Sequence, residues 1–214
     1  MLLAFCGINI KLMELIEIKA IMNRRSIRKY KSQPVPKEMI EKILKAGILA
    51  PSSKNRQPWK FIIVTGNAKV DALKQMEKGL EREKVDPFLP ESAKYLQNAE
   101  ATLEIMKTAP VIIFIINPLA ADMKELLSTD KRISEICNAQ SIGAAIENMI
   151  LEATELGLGT LWICDIFFAY QELSDWLGIN IQGELYAALA IGYGDETPNA
   201  RPRKPFTDVV EWRD

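Results

Sequence analysis

The longest apolar helix pattern in the chain runs from Ile133 to Leu156, and this feature most limits how the chain can fold. Apolar side chains cover most of its circumference; they include Ile136, Ile142, Ala145, Ile146, Met149, Ile150 and Ala153. A helix that is apolar nearly all round has to be covered on nearly every side. We therefore expect a central helix, or one that a second subunit also covers.

Four segments have the composition of strands: KFIIVTG (60–66), VIIFIIN (111–117), TLWICD (160–165) and ELYAALAIGYG (184–194). The second is apolar without alternation, which is typical of a strand buried on both faces. Helix patterns lie between the strands, so the chain belongs to the α/β or α+β class. Periodicity alone favours a parallel sheet, but it does not determine strand direction.

Further helices are predicted over residues 12–22, from Lys37 to Ile48, and over 171–178. Between residues 67 and 109 the chain is highly charged, and the sequence DPFLP interrupts it. Because the residue before proline is pushed away from helical geometry, we expect two helices that flank a mobile stretch. Residues 118–132 are predicted to form a loop or a frayed helix.

Composition excludes several functions. The 214 residues include no His, so neither a Ser-His-Asp triad nor a His-ligated metal can form within the chain. A net charge of −1 and an isoelectric point near 5.8 argue against a nucleic-acid binder. Cys6, Cys137 and Cys164 have no metal-binding spacing, which is typical of free thiols in a reducing cytoplasm.

The first residues, MLLAFCGINI, are apolar. They lack the basic region and cleavage site of a signal peptide, and the stretch is shorter than the roughly 20 residues that span a bilayer. Two interpretations of residues 1–12 stay open: an extension upstream of a start at Met13, or an arm that packs on a partner subunit.

Two basic clusters are candidates for an anion site. Arg24, Arg25 and Arg28 lie beside Ser26, and Arg201, Arg203 and Lys204 lie near the other end of the chain. An arginine fork matches a phosphate bidentately, and serine can add a neutral hydrogen bond. In a chain without net positive charge, the clusters favour a concentrated anion site if they meet in space. The alternative is a solvated basic face.

A polar loop, PSSKNRQPW (51–59), connects a predicted helix to a predicted strand. Asn55 and Gln57 carry amides that can bind the edge of a heterocycle. The alternative is a plain connection with Trp59 in the core. The third candidate, GLGTLWICD (157–165), lacks the full G-x-G-x-x-G pattern and precedes a strand, so it does not indicate a Rossmann site.

Together these segments resemble the nitroreductase family of FMN-dependent oxidoreductases. The resemblance rests on RRSIR (24–28), PVP (34–36), APSSKNRQPWKF (50–61), ENM (147–149) followed by ELGLGTLWI (155–163), IGYG (191–194) and the basic, proline-containing tail. It extends from about Met13 to Trp212, nearly the whole chain. RRSIR and PSSKNRQPW are its most specific parts.

The resemblance implies an α+β fold in which helices wrap a mostly antiparallel sheet, and an intertwined homodimer with two FMN molecules at the interface. By this resemblance Arg24, Ser26 and Arg28 hold the FMN phosphate with help from Arg25, and Arg201 and Arg203 form a second phosphate clamp. Asn55 matches the amide that binds the isoalloxazine edge. The remaining positions near the flavin or across the dimer are Ser52, Ser53 and Gln57.

The segment Ile163-Cys164-Asp165 matches the one that lies over a flavin face, where a backbone N–H bonds the flavin N5. Many relatives have a small residue here. A carboxylate beside N5 would disfavour the anionic reduced flavin unless its side chain points away. We expect Cys164 to be a small buried residue without thiol chemistry.

The implied activity is an enzyme that passes two electrons from NADH or NADPH to a nitroaromatic, a quinone or another electron-poor acceptor, in ping-pong order. No catalytic side chain and no metal are expected, because the chemistry belongs to the flavin. The alternatives are a reductive dehalogenase or a flavin-cleaving relative of the same fold, or a flavin-binding protein without activity. The physiological substrate and the preferred nicotinamide stay open.

Residues 13–214 are expected to form one FMN-binding domain, within which residues 67–109 form a mobile substrate cover. The premise is that apolar residues in this stretch are too sparse to anchor it deeply. Phe88, Leu89 and Tyr95 are predicted to contact a bound aromatic substrate. The alternative is a surface helical hairpin without a role.

Overall fold

The computed structural model describes residues 18–179 and 183–214. The extension 1–12, Met13, Cys6 and most of the helix predicted over residues 12–22 lie outside the described residues. The end of that helix is present as α1 (Lys19–Asn23).

The core is a four-stranded sheet of β1 (Lys60–Val64), β2 (Val111–Asn117), β3 (Gly159–Ile163) and β4 (Glu184–Gly192). The strand order is β1-β2-β4-β3, and every neighbouring pair is antiparallel. The α+β fold with an antiparallel sheet is therefore confirmed, and the parallel sheet favoured by periodicity is wrong.

Helices cover both faces of the sheet, which explains why the apolar pattern of the strands favoured a parallel sheet. One face packs on α3 (Gly66–Val85), α4 (Leu96–Thr108) and α6 (Tyr170–Leu177), and the other on α2 (Lys37–Ile48) and α5 (Thr129–Glu155). Alternate residues of β2 enter opposite clusters, so all seven are buried. A strand buried on both faces is continuously apolar whichever way its neighbours run.

Helix α5 lies where the apolar pattern predicts a helix, and it is longer than the pattern suggests. It begins at Thr129, behind the N-cap Ser128, so only residues 118–128 of the predicted loop lie outside the helix. Its second half is buried, whereas Ile133 and Ile136 in its first half are 54% and 52% exposed. Gly157, with a φ of +74°, follows the helix in the left-handed conformation that commonly ends one.

The region 67–109 contains the two predicted helices, α3 and α4, but they are anchored. Five of their apolar side chains are buried in the core: Leu73, Met76, Leu80, Leu103 and Met106. The premise of sparse apolar residues is therefore wrong, because helical spacing collects scattered residues onto one side. Between the two helices, residues 86–95, hereafter the cover segment, contain no buried residue.

Four short 3₁₀ turns complete the described structure: Ser53–Asn55, Pro90–Tyr95, Asp165–Ala169 and Phe206–Asp208. Across residues 18–179 and 183–214, none of the helices has both the length and the apolar character needed to traverse a bilayer.

Candidate functional site

The segment containing RRSIR is attached to the sheet through its backbone. The N–H of Ile27 donates to the carbonyl of Thr160 on β3 at 2.9 Å, and the N–H of Lys31 donates to the carbonyl of Tyr193 just after β4, also at 2.9 Å. Gly159 makes this approach possible, because a Cβ there would lie 2.6 Å from the side chain of Ile27. We call residues 24–31 the basic segment.

Arg24 and Arg25 are half-buried where α1 ends. The Nε of Arg24 lies 3.6 Å from a carboxylate oxygen of Glu147 on α5. Nη1 of Arg25 donates to the carbonyls of Met22 and Arg24, each at 2.8 Å, and so satisfies carbonyls that the helix end leaves free. These bonds hold the two side chains in place while other N–H groups of each guanidinium stay available.

Arg28 and Ser26 lie further along the same segment. Ser26 pairs with Thr160 through its backbone, and Nη1 of Arg28 donates to the Ser26 carbonyl at 3.2 Å. The carboxylate of Glu196 accepts the backbone N–H of Arg28, and that of Lys29 at 3.2 Å. The carboxylate of Glu196 therefore stabilises the backbone of the basic segment.

Arg201 and Arg203 are exposed, and they lie five and seven residues after Glu196, whose carboxylate contacts the basic segment. Nη1 of Arg203 donates a hydrogen bond to the carbonyl of Arg201 at 3.5 Å.

The loop containing Asn55 and Gln57 has an unusual backbone. Lys54, Asn55 and Gln57 have φ values of 54°, 55° and 49°, in a region that residues other than glycine seldom adopt. The exposed side chains of Asn55 and Gln57 meet each other, with Nε2 of Gln57 donating to Oδ1 of Asn55 at 3.3 Å. Left-handed residues persist where the surroundings enforce them, and they cluster at ligand sites.

Serine hydroxyls hold this loop. The N–H of Gln57 donates to Oγ of Ser52 at 2.9 Å, and the N–H of Ser53 donates to Oγ of Ser141 on α5 at 3.3 Å. Arg56 extends to Ser134 of the same helix at 2.9 Å. Trp59 packs against the adjoining core cluster while staying partly exposed, so its expected core position is only partly realised.

Helix α5 is the common support of the loop and the basic segment. Ser141 contacts the loop and Glu147 contacts Arg24. Six residues separate these two positions, which is about 9 Å along a helix axis. The structure therefore brings together two motifs that are more than 20 residues apart in the sequence.

The segment Ile163-Cys164-Asp165 ends β3 and opens the 3₁₀ turn 165–169. Ile163 is buried, but Cys164 is exposed, so the expected burial of Cys164 is wrong. The strand ends at Ile163, and the next residue is no longer covered. Partial desolvation of the sulfur and, secondarily, the charge of Asp165 raise the pKa of Cys164, which keeps it a thiol at neutral pH.

The carboxylate of Asp165 turns away from the end of β3. It accepts a hydrogen bond of 2.5 Å from the hydroxyl of Thr102 on α4. A carboxylate at this position is expected to disfavour an anionic reduced flavin unless its side chain points away. The side chain of Asp165 has that orientation. No set of three or more acidic or sulfur side chains among residues 18–179 and 183–214 is arranged to bind a metal ion.

The predicted substrate residues all belong to the cover segment. Phe88 stacks on Tyr170, with ring centroids 5.4 Å apart, and Leu89 packs against the core cluster. Tyr95 is half exposed, with the ammonium of Lys94 5.1 Å from its ring.

Sequence reasoning missed several residues that support these groups: Glu83, Thr102, Ser141, Tyr170 and Glu196. Each acts through a contact between positions distant in the sequence, or, for Glu83, through backbone N–H groups of a loop. Composition contains no signal for such contacts. Glu147 does belong to a motif that the family resemblance uses, but its pairing with Arg24 was not predicted.

The sequence model of the Nitroreductase family matches residues 21–193. An NADPH-flavin oxidoreductase of Vibrio harveyi is 27% identical over 194 residues, which cover 90% of this chain and 72% of the relative.

Solved structures agree with this match. A BluB-like flavoprotein from Clostridium difficile has a TM-score of 0.70 and 26% identity, over 92% of this chain and 98% of the other. An FMN-dependent nitroreductase, also from Clostridium difficile, has a TM-score of 0.63 and 28% identity, over 90% of this chain and 96% of the other.

Proposed function

The chain belongs to the nitroreductase family, and on that premise we propose that it is an FMN-dependent enzyme that passes electrons from NADH or NADPH to an electron-poor acceptor such as a nitroaromatic or a quinone. Its relatives are named as NAD(P)H and flavin oxidoreductases, and the chain is an oxidoreductase of this type. The observation that carries the proposal is the basic segment, in which the sheet fixes three half-buried arginines along a short backbone stretch.

The donor set of the basic segment fits a phosphate group. The described contacts of Arg24 and Arg28 engage one nitrogen of each guanidinium, and each guanidinium has five N–H donors. Partial burial strengthens bonds between such donors and a phosphate. We propose that Arg24, Arg25, Ser26 and Arg28 hold the FMN phosphate, and that Arg201 and Arg203 form a second phosphate clamp.

The strained loop fits the edge of a ring system. Asn55 and Gln57 present amide groups on a backbone that Ser52 and Ser53 fix in position. The orientation of Asp165 supports a flavin beside Ile163, Cys164 and Asp165, because the carboxylate is engaged by Thr102. We propose that the loop side chains bind the isoalloxazine edge and that the backbone of 163–165 lies along one of its faces.

Bound FMN would supply the two-electron chemistry that no side chain of this chain provides. The protein contributes binding and orientation: arginines neutralise the phosphate, loop amides fix the ring, and the exposed end of β3 leaves one side accessible. Because donor and acceptor would use the same side in turn, we propose a ping-pong order.

We propose that the protein is a homodimer in the cytoplasm. Ile133 and Ile136 on α5 and Trp162 on the edge strand β3 are each at least 40% exposed, and such side chains gain from burial against a second subunit. Sedimentation at low concentration tests this, and a folded flavin-bound monomer would contradict it.

We further propose that residues 13–214 form a single FMN-binding domain and that the cover segment, rather than all of 67–109, borders the substrate. Protein starting at Met13 should keep FMN and activity, because the family match begins later, at residue 21. Loss of dimerisation on this truncation would instead indicate a structural arm in residues 1–12.

Steady-state kinetics test the proposed function. Initial rates with NADPH or NADH and a quinone or a nitroaromatic should give parallel double-reciprocal lines, as expected for a ping-pong order. FMN binding without turnover of any acceptor would favour a flavin-binding protein without activity. Intersecting lines would contradict the ping-pong order while leaving the cofactor assignment intact.

A further inference from the structure

A buried carboxylate lies beneath the cover segment. The side chain of Glu83, near the end of α3, is only 2% exposed. It accepts the backbone N–H of Phe88 at 2.8 Å and that of Leu89 at 3.2 Å. Nη1 of Arg82 also donates to the carbonyl of Asp86 at 3.2 Å. The start of the cover segment is therefore held by side chains of α3 rather than by pairing with the sheet.

The neighbouring Arg82 connects the carboxylate of Glu83, through hydrogen bonds, to the turn and the helix α6 that follow β3. Its Nη1 donates to Glu83 at 2.6 Å, and its Nε and Nη2 donate to the two carboxylate oxygens of Glu172 at 2.7 and 3.2 Å. Nη2 also donates to the carbonyl of Phe168 at 3.2 Å. The network thus connects the cover segment to the turn that Asp165 opens.

The two sides of this network are in direct contact. A Cβ at Gly79 would lie 2.3 Å from Ala169, so α3 and the turn 165–169 approach as closely as their backbones allow. Close-packed backbones transmit displacement instead of absorbing it. The Arg82–Glu83 pair therefore rests on a rigid support.

The ring of Phe88 is fixed from the other direction. It is nearly parallel to the ring of Tyr170, with an interplanar angle of 6°, and Tyr170 in turn lies 6.4 Å from Phe167. The ammonium of Lys124, from the loop 118–128, is 5.7 Å from the centre of the Phe88 ring. Glu83 holds the backbone of this residue while Tyr170 holds its ring.

Charge distinguishes this arrangement from an ordinary stabilising ion pair. Two carboxylates share one guanidinium, which leaves one negative charge in a largely buried place. Buried ion pairs contribute little net stability because desolvation offsets their attraction. The two N–H groups of the cover segment complete the solvation of Glu83, so moving the segment away would leave that charge poorly solvated.

We propose that Glu83, supported by Arg82, is a positioning residue that determines where Phe88 lies and thereby which aromatic acceptors the site admits. This rests on the proposed function, in which the cover segment borders the acceptor. Glu83 touches neither acceptor nor cofactor in this account; it acts through Phe88.

The test is Glu83→Gln, which keeps the shape of the side chain and removes its charge. The matched control is Glu81→Gln on the same helix, which removes an exposed carboxylate paired with Lys84 at 2.8 Å. We expect the amides of Phe88 and Leu89 to exchange hydrogen about tenfold faster in Glu83→Gln alone, since bonds to a charged group are lost. Unchanged exchange would overturn the positioning role.

The kinetic readout compares a nitroaromatic and a quinone with ferricyanide, a small acceptor that has no ring to stack. We expect Glu83→Gln to raise KM for the aromatic acceptors about tenfold, the effect of about 1.4 kcal/mol, and to leave ferricyanide reduction and FMN affinity unchanged. Faster exchange with an unchanged KM ratio among the acceptors would overturn the role in specificity.

A double-mutant cycle with Phe88→Ala establishes whether Glu83 acts through Phe88. Adding Glu83→Gln to Phe88→Ala should change acceptor selectivity no further, whereas additive effects would contradict the proposal. If Glu83→Gln does not fold, Glu83→Asp, which keeps the charge but shortens the side chain, should show the same changes to a smaller extent. If wild-type protein reduces no acceptor, the proposed function fails, while the exchange measurement still decides whether Glu83 holds the segment.

Discussion

The basic segment and the cover segment are both short, irregular stretches beside the sheet, but they are attached in different ways. Backbone pairing with Thr160 and Tyr193 holds the basic segment on two sides. Side chains hold the start of the cover segment: Glu83 accepts two of its N–H groups, Arg82 donates to the carbonyl of Asp86, and Tyr170 stacks on the ring of Phe88. The first attachment depends little on side-chain identity, whereas the second depends on it almost wholly.

This difference suggests a division between permanent and adjustable parts of the site. A cofactor that stays bound needs donors at fixed positions, and backbone pairing to a sheet provides them. A surface that selects among substrates benefits from side-chain attachments, because one or a few substitutions can alter them. The region proposed to hold FMN is attached to the sheet through its backbone, and the region proposed to meet the acceptor is attached through side chains.

The largest expected effect comes from forcing the basic segment off the sheet. Gly159→Val would place a side chain where Ile27 lies within 2.6 Å of a Cβ, and overpacking of this kind lowers the free energy of unfolding by about 1–3 kcal/mol. Urea denaturation measures the loss. The control, Gly143→Ala, has its nearest atom at 3.8 Å and should be neutral or stabilising. Equal stability of both variants would mean that this attachment is loose.

An effect of comparable size is expected from the loss of a single arginine of the basic segment. Arg24→Ala should weaken FMN binding by about 1.5–3 kcal/mol, or tenfold and more, because a hydrogen bond to a charged group is removed. Fluorescence titration of the apoprotein with FMN measures it. Arg132→Ala, which removes an exposed arginine of α5, should leave the affinity unchanged. Unchanged affinity in both Arg24→Ala and Arg203→Ala would remove the phosphate assignment.

A smaller effect is expected in the cover segment. Phe88→Ala removes the stack on Tyr170, and aromatic pairs contribute about 0.5–1.5 kcal/mol beyond the area they bury. The ratio of kcat/KM between nitroaromatic and quinone acceptors should change several-fold, with FMN affinity intact. Identical ratios, together with hydrogen exchange in residues 86–95 as slow as in β2, would favour a surface hairpin without a role.

The smallest effect tests the boundary between the two regions. Because the carboxylate of Asp165 is turned toward Thr102, Asp165→Asn should change the two-electron reduction potential of bound FMN by less than about 30 mV, which corresponds to about 1.4 kcal/mol. Redox titration against a reference dye measures the potential. A rise of about 60 mV or more would show that this charge does act on the flavin.

The sequence predicts the long helix, the buried strand and the basic segment well, and it predicts the cover region less well. The long helix and the buried strand β2 were correctly identified, because burial on many sides leaves a strong apolar signal. Strand direction was not determined by that signal, and it was the family resemblance that indicated an antiparallel sheet. RRSIR stands out because several cations occur together in a short stretch of a chain without net positive charge.

The cover region was predicted less well for a physical reason. In α3 charged residues outnumber the apolar ones, and helical spacing hides how well Met76 and Leu80 are anchored. Glu83 could not be distinguished from the other acidic residues of α3, since its burial depends on packing against the turn 165–169. Exposure of Cys164 likewise depends on where β3 ends rather than on residue type.

The central claim is that the basic segment holds an FMN that accepts electrons from a nicotinamide. The most direct measurement is the absorbance spectrum of the purified protein after saturation with FMN and removal of the excess, followed by anaerobic titration with NADH and NADPH. The account predicts a retained flavin spectrum that is bleached by close to one equivalent of nicotinamide per flavin. Protein that retains no flavin, or a bound flavin that neither nicotinamide bleaches, would contradict it.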